Sequence, residues 1–297
     1  MNKHIDKVIE LSSEIMKHPR HVSINDACLK KLAAQVPSPT GVHLWGVSDP
    51  IEKRADRDHV LLTILYELLA SSVNYCYWYG SPNFRPNESG STTMYKNLDA
   101  AFASILSTGY ERACSEFAQA FQYQLNISRM PMLKERLYHV NDFVTAEQGQ
   151  LWSLLHMVEE EVNIEEVMTE MFRLLPGFAE DMFLKRTFLF FMMINRRLGL
   201  YESAIDSIPV PADYQIPKIL EWNHAISYSE DLMGDIEAYI PIPKYSLKEV
   251  EIRAATILAC NSLAKHSGYN AERIDDFLWM QRKEVTKPFH LTVTTDY

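Results

Sequence analysis

Hydrophobic positions along this chain recur with helical spacing almost throughout, and the alternation of strands is scarce. The spacing predicts an amphipathic helix over 3–17, followed by a loop or short strand pair from Pro37 to Pro50. A run from His59 to Tyr79, capped by Asp58, is apolar almost all round, as expected of a central buried helix. It closes on Asn74-Tyr75-Cys76-Tyr77-Trp78-Tyr79 and is stopped by Gly80-Ser81-Pro82. After a polar loop through Ser91, helices are expected near 94–107, 110–125, 130–139, 147–158 and 163–174. Pro176-Gly177 breaks the chain before a long helix from Glu180 to Leu198, with Gly199 as its stop. Pro217 suits the first turn of the next helix. Ser246 to Glu249 has capping-box spacing ahead of a helix to His266, and Asn270 opens a last helix to Arg282. The tail from Pro288 to Tyr297 is short and strand-like. No internal repeat or low-complexity linker divides the chain, so the expected fold is a single all-α domain over residues 1–297.

Composition narrows the class. A chain of 297 residues, 47% hydrophobic and 23% charged, can bury a full core. The longest strongly apolar run, Phe188 to Ile194, falls far short of the ~20 residues of a membrane span. Met1 to Asp6 lacks the apolar stretch of a secretory leader. Cys28, Cys76, Cys114 and Cys260 lie far apart with no metal spacing, which suggests reduced, buried thiols in a cytoplasmic protein. The net charge is −10, and no Lys/Arg-rich stripe is present to neutralise a polynucleotide. A small, singly phosphorylated ligand needs only one local cationic pocket.

Chemistry is expected where charges stand among apolar neighbours, because such charges must be paired, neutralised or used. Lys185 lies in the most apolar helix and shares a face with Phe188, Leu189 and Met192. It either snorkels to solvent or stays buried and needs an acceptor, while Arg186 is expected at the surface or in a structural ion pair. Asp213 is held between Pro209-Val210-Pro211 and Pro217. It can be a helix N-cap, or a carboxylate set beside a ribose C1'. Glu251 and Arg253, two apart on a helix, cannot face each other, so each needs a partner across the fold or on a ligand. Asp275 is a further cap candidate, and Asn74, Tyr75, Trp78 and Tyr228 could stack on or hydrogen-bond a nucleobase, or simply pack. Glu221 and His224 have the Glu-x-x-His spacing of ferritin-like metal bundles. Such sites need that motif twice, no second copy is present, and neither metal nor cofactor is expected.

Six segments, in order, resemble the queuosine salvage protein family. They are Asn74 to Trp78, Met94 to Ala101, Lys185-Arg186, Ala212 to Lys218 (against Ala-Asp-Tyr-Arg-Val-Pro-Gln), Glu249 to Ala254 and Asp275 to Trp279. Gln215, Phe188 and Lys96 replace an arginine, a glutamine and a tryptophan of that pattern, so the resemblance is to a distant relative. It implies a fold similar to helix-hairpin-helix DNA glycosylases and hydrolysis of queuosine 5'-phosphate to queuine and ribose 5-phosphate. Carried over, Asp213 would be the catalytic carboxylate, kept ionised by a nearby Lys185. Lys185 and Asp275 would line the pocket, with Asn74, Trp78, Tyr228, Glu251 and Arg253 as further substrate-binding candidates. The partner expected is a mononucleotide, with neither a polynucleotide nor a membrane. Alternatives are a non-catalytic nucleotide-binding protein, or a hydrolase of another nucleoside or nucleotide.

Overall fold

Polar side chains set where the helices begin, and left-handed glycines set where two of the longest end. In the computed structural model, which describes residues 2–38, 57–79, 90–105 and 113–297, the order begins α1 (Lys3–Ile15), β1 (Val22–Ile24), α2 (Asp26–Ala33), α3 (Arg57–Ser72), α4 (Gly90–Ile105), α5 (Ala113–Ser128). It continues α6 (Leu133–Thr145), α7 (Gln148–Glu159), α8 (Ile164–Leu174), α9 (Lys185–Leu198), α10 (Ile216–Trp222), β2 (Ile226–Tyr228), α11 (Glu230–Glu237), α12 (Leu247–Ser267) and α13 (Ala271–Gln281). Asn2, Ser246 and Asn270 accept backbone N–H groups at the starts of α1, α12 and α13. Glu249 reaches back past the cap residue and accepts the amide of Tyr245, in place of the Ser246 amide of a standard capping box. Gly199 (φ 70°) and Gly268 (φ 75°) terminate α9 and α12 in the left-handed region that only glycine enters freely. The fold is all-α with a minor two-stranded sheet.

Four departures from the expected elements matter. The central helix stops at Ser72 instead of Tyr79, and starts one residue ahead of Asp58. Buried cations take its terminal carbonyls: Arg186 donates to Ser72 O, Arg136 to Val73 O and Tyr75 O, and Lys185 to Asn74 O. With these acceptors claimed from outside, residues 73–79 turn back, and Cys76 sits at φ 40°. The long helix expected from Glu180 begins only at Lys185, after a 3₁₀ turn over Pro176–Ala179. Asp181 causes the delay, because its carboxylate accepts the amides of Phe183 and Lys185 and so opens the helix there. The antiparallel pair β1–β2, with Val22 opposite Tyr228, is three residues per strand, too short for alternation to register. The tail forms no ladder. It runs extended through the interior, tied by Ile242 N–H to Leu291 O (2.7 Å) and Cys76 N–H to Tyr297 O (2.9 Å). Most of the expected Pro37–Pro50 loop, and Gly80-Ser81-Pro82, lie outside the described residues.

α3 is buried from Leu61 to its end at Ser72 and packs on α9, α4, α6 and α7. α12 serves as the second axis, contacted by α1, α2, β1, α10 and α13. Buried apolar side chains form one cluster running from Ile5 to Leu291. Three of the four free cysteines are buried, and Cys28 is half-buried. Among the described residues no helix is long and apolar enough to cross a membrane.

Glu251 is structural in this arrangement. Its carboxylate, fully buried on α12, accepts the amides of Arg20 (2.9 Å), His21 (2.7 Å) and Val22 (3.0 Å), fastening β1 to the core. Replacing Glu251 by Ala leaves three amide donors without this acceptor, that of Val22 buried, and is expected to cost about 2–4 kcal/mol. Urea unfolding reads this as a lower midpoint at unchanged slope; an unmoved midpoint contradicts the assignment.

Candidate active site

A cavity of about 900 Å³, including space open to solvent, lies where the C-terminal end of α3, the start of α9, the segment before α10, α13 and the C-terminal tail converge. Five of the residues singled out from the sequence line it together: Asn74, Tyr75, Lys185, Asp213 and Asp275. Aromatic walls come from Tyr77, Tyr95, Tyr214, Trp279 and Tyr297. Planar rings around a few ionisable groups suit a flat, polar-edged ligand.

Asp213 is the helix cap its sequence allowed, and it also lines the cavity. Oδ1 accepts the amides of Gln215 (2.7 Å) and Ile216 (3.0 Å), initiating α10, where Pro217 occupies the first turn. Oδ2 has no hydrogen-bond partner among the described residues, although the carboxylate stands on the cavity wall. One oxygen therefore anchors the group and the other is left for a ligand. Burial raises the Asp213 pKa, against the opposing pull of Lys185 and the two amide bonds. Lys185, expected to keep this acid ionised, is the largest influence in that direction, and desolvation outweighs it.

Lys185 does not snorkel: it is 4% exposed. Its Nζ donates to Asn74 O (2.8 Å) and Asn74 Oδ1 (2.9 Å), and makes no ion pair within 4 Å of a described carboxylate. An ammonium has three protons, so one remains for the cavity. Its pKa is lowered to about 8, chiefly by burial, with Asp213 the largest opposing influence. Asp275, 3% exposed, has its pKa raised to about 7 by burial, while Arg196 resists the shift from 3.3 Å. Arg196 is shared with Glu272 (2.7 Å) and Asp276 (2.9 Å), which dilutes its hold on Asp275. The cavity thus carries an acid and a base that both titrate near neutrality.

Behind the wall, Arg253 clamps Asp181 with two bonds of 2.7 Å and lies between the rings of Phe183 and Tyr297. It also donates to Ala212 O at 3.3 Å, next to Asp213. Arg253 does not line the cavity; it fixes both ends of the segment pair that carries Lys185 and Asp213. Arg186 is neither at the surface nor confined to an ion pair: it is buried, and its guanidinium donates to the carbonyls of Ser72 and Gly177. Tyr228 faces a separate small cavity beside Glu221 and Lys287, so the structure does not bring it, or Glu251, to the site. Trp78 is buried against Phe289 and borders an outer lobe.

That outer lobe, about 1560 Å³ including space open to solvent, shares the walls of Tyr77, Ser91, Tyr214, Trp279, Arg282 and Lys283 with the inner cavity. Of the three departures from the family pattern, Phe188 is core and Lys96 lies on the exposed face of α4. Only Gln215 touches the site, in the outer lobe. Glu221 and His224 form no helical ligand pair, since α10 ends at Trp222 and Lys287 holds Glu221 at 2.8 Å. Spacing alone could not have revealed Asp181, Tyr77 or Tyr297, which come from a mis-set helix start, a turned helix end and an unpaired tail.

Residues 183–297 match the profile of a family described as queuosine salvage protein. A protein of Dictyostelium discoideum named queuosine 5'-phosphate N-glycosylase/hydrolase is 33% identical over 111 residues, 35% of this chain and 34% of that relative. A protein of Sphaerobacter thermophilus with the same name is 25% identical over 268 residues, 78% of this chain and 80% of the relative. The first match spans about a third of the relative's length. The second reaches across most of both chains.

Proposed function

We propose that this chain, related at a distance to the queuosine salvage proteins, cleaves the N-glycosidic bond of queuosine 5'-phosphate and releases queuine. The observation that carries this reading is Asp213: one carboxylate oxygen pinned by two amides, the other free on the wall of a cavity that also holds Lys185 and Asp275. As the C1'–N bond lengthens, positive charge builds on the ribose, and a fixed carboxylate stabilises it. Water then adds to C1' and gives its proton to Asp213, whose burial-raised pKa makes it a better acceptor than an exposed carboxylate. The departing base takes a proton from solvent and leaves as queuine, and Asp213 later returns to solvent the proton it took from water, so one water is consumed per bond cleaved.

Ionised Asp275 would accept from the N–H edge of a 7-deazaguanine, and the remaining Lys185 proton would orient the base or sugar. The aromatic walls supply stacking. Gln215 alters the outer lobe and leaves these groups intact, which favours an enzyme over a non-catalytic binder. Buried free thiols suit a reducing cytoplasm, and an acidic chain suits a mononucleotide better than a polynucleotide.

The titrations give a test. Asp275 must lose its proton to accept from the base, so kcat/KM rises with pH through about 7. Lys185 must keep its proton, so kcat/KM falls as pH passes about 8. A bell is expected in initial rates of base release, with its acid limb removed in Asp275→Asn. A flat profile across neutrality would remove both groups from substrate recognition.

A further inference from the structure

His139 on α6 is buried and borders neither the inner cavity nor the outer lobe. Its ring is wedged against the backbone at Gly177, where an added Cβ would stand 2.7 Å from His139 Cδ2. Nδ1 faces two donors, the Tyr75 hydroxyl at 3.1 Å and Arg186 Nη1 at 3.4 Å. Nε2 faces the Glu180 carboxylate at 3.4 Å. Two donors on one nitrogen require a lone pair there, so the ring proton sits on Nε2 and points at Glu180. Burial lowers the His139 pKa to about 3, with Arg186, Arg136 and Lys244 acting in the same direction. The ring therefore stays neutral through the range in which Asp275 and Lys185 titrate.

This neutral ring is tied to the turn that ends α3. Tyr75 is held at its hydroxyl by His139 and at its ring by the Arg136 guanidinium, 4.5 Å from the centroid. Arg186, the second donor on Nδ1, also reaches Ser72 O at 2.8 Å. Arg136 donates to Val73 O and to Tyr75 O. Arginines thus take the carbonyls of residues 72, 73 and 75. The intervening carbonyl of Asn74, together with Asn74 Oδ1, receives Lys185 Nζ. The direction of the ammonium is set by this turn, and His139 bonds both the turn and one of the arginines that grip it.

We propose that His139 is a positioning residue: by accepting from Tyr75 and Arg186 it locks the 72–75 turn, and the locked turn aims the Lys185 ammonium into the cavity. The claim rests on the hydrolase reading only where turnover is measured. Removing the acceptor leaves the Tyr75 hydroxyl and one Arg186 proton without it. The turn then loosens, water reaches Lys185, and Arg186 is held less firmly beside it. Burial is the largest cause of the lowered Lys185 pKa, and Arg186 acts in the same direction, so both changes raise it. Asp213, Asp181 and Asp275, the other groups acting on Lys185, are anchored by the amides of Gln215 and Ile216, by Arg253 and by Arg196. The substitution leaves those anchors in place.

Two replacements of the one residue isolate the acceptor. Asn carries an oxygen on the atom that bears Nδ1 in histidine, so His139→Asn keeps an acceptor for Tyr75 and Arg186. His139→Gln sets its amide one bond further out, towards Glu180, and leaves the two donors bare. The titration of Lys185 is followed by NMR of isotope-labelled lysine, its signal assigned by its loss in Lys185→Arg. The midpoint is expected at about 8 in the wild type. It should stay within about 0.3 unit of that in His139→Asn, and rise by about 0.5–1.5 units in His139→Gln and in Tyr75→Phe. Equal midpoints in all four proteins, whatever their stability, assign His139 to packing alone and overturn the proposal. A shift as large in His139→Asn as in His139→Gln overturns it too. In base release, kcat/KM near neutrality is expected to fall about ten- to hundredfold in His139→Gln and Tyr75→Phe. The alkaline limb should move up with the NMR midpoint, while the limb near 7 stays with Asp275. A wild type that releases no base sinks the hydrolase reading, and the NMR midpoints still decide the positioning role. Tyr75→Phe removes one oxygen and keeps the ring under Arg136, so it carries the test should His139→Gln fail to fold.

Discussion

The Asp213→Asn protein is expected to fold, to bind queuine, and to release almost none of it from queuosine 5'-phosphate. Folding survives because Asn keeps an oxygen at Oδ1 to accept the amides of Gln215 and Ile216, so the start of α10 is preserved. Turnover does not survive, because the neutral amide can neither offset charge at C1' nor take the proton of water. Losing electrostatic stabilisation and general-base assistance together should lower kcat by about 10³-fold or more. Base binding, which leans on Asp275 and the aromatic walls, should change by less than about tenfold. Single-turnover release followed by mass spectrometry, beside calorimetric binding of the base, separates the two effects. Wild-type turnover in this variant removes the carboxylate from the mechanism.

Arg253→Met carries the largest expected loss of stability. The guanidinium is wholly buried and spans both oxygens of an equally buried Asp181. Its removal leaves that carboxylate with only the amides of Phe183 and Lys185, a loss of about 3–5 kcal/mol. The pH dependence has a definite sign. In the wild type Arg253 holds the Asp181 pKa below its ordinary value. The stability from this pair is therefore present above the unfolded-state carboxylate pKa and fades only as pH falls through the lower folded value. In the variant the unpaired carboxylate resists ionisation, so the deficit against wild type should be largest at neutral pH and shrink towards acid. Asp181→Leu combined with Arg253→Met removes both charges and should recover part of the stability. It should not recover turnover, because the Asp181 cap on Lys185 and the Arg253 bond to Ala212 O are gone. A deficit independent of pH contradicts this account of the pair.

The helical class was legible because apolar spacing is a direct record of which face is buried. Caps at Ser246 and Asn270, and the stop at Gly199, follow from local backbone chemistry and stand where polar and glycine positions put them. The early end of α3 was not legible, since its cause is three cations supplied from residues 136, 185 and 186. Asp181 was hidden for a related reason: a helical period running through Glu180 masks a carboxylate that starts the helix four residues later. Asn74, Lys185, Asp213 and Asp275 could be singled out because charge or amide next to apolar sequence is conspicuous, and they do share one cavity. Glu251 and Arg253 are as conspicuous for the same reason, yet one serves β1 and the other serves Asp181. Burial of charge marks a residue as consequential; only geometry tells a ligand contact from a structural one.

The most direct test of the central claim is incubation of the wild-type protein with queuosine 5'-phosphate, with guanosine 5'-phosphate as control, and quantification of products by mass spectrometry. The account predicts queuine and ribose 5-phosphate in equal amounts from the first and neither cleavage nor free base from the second. Tight binding of queuosine 5'-phosphate that leaves the nucleotide intact would contradict it.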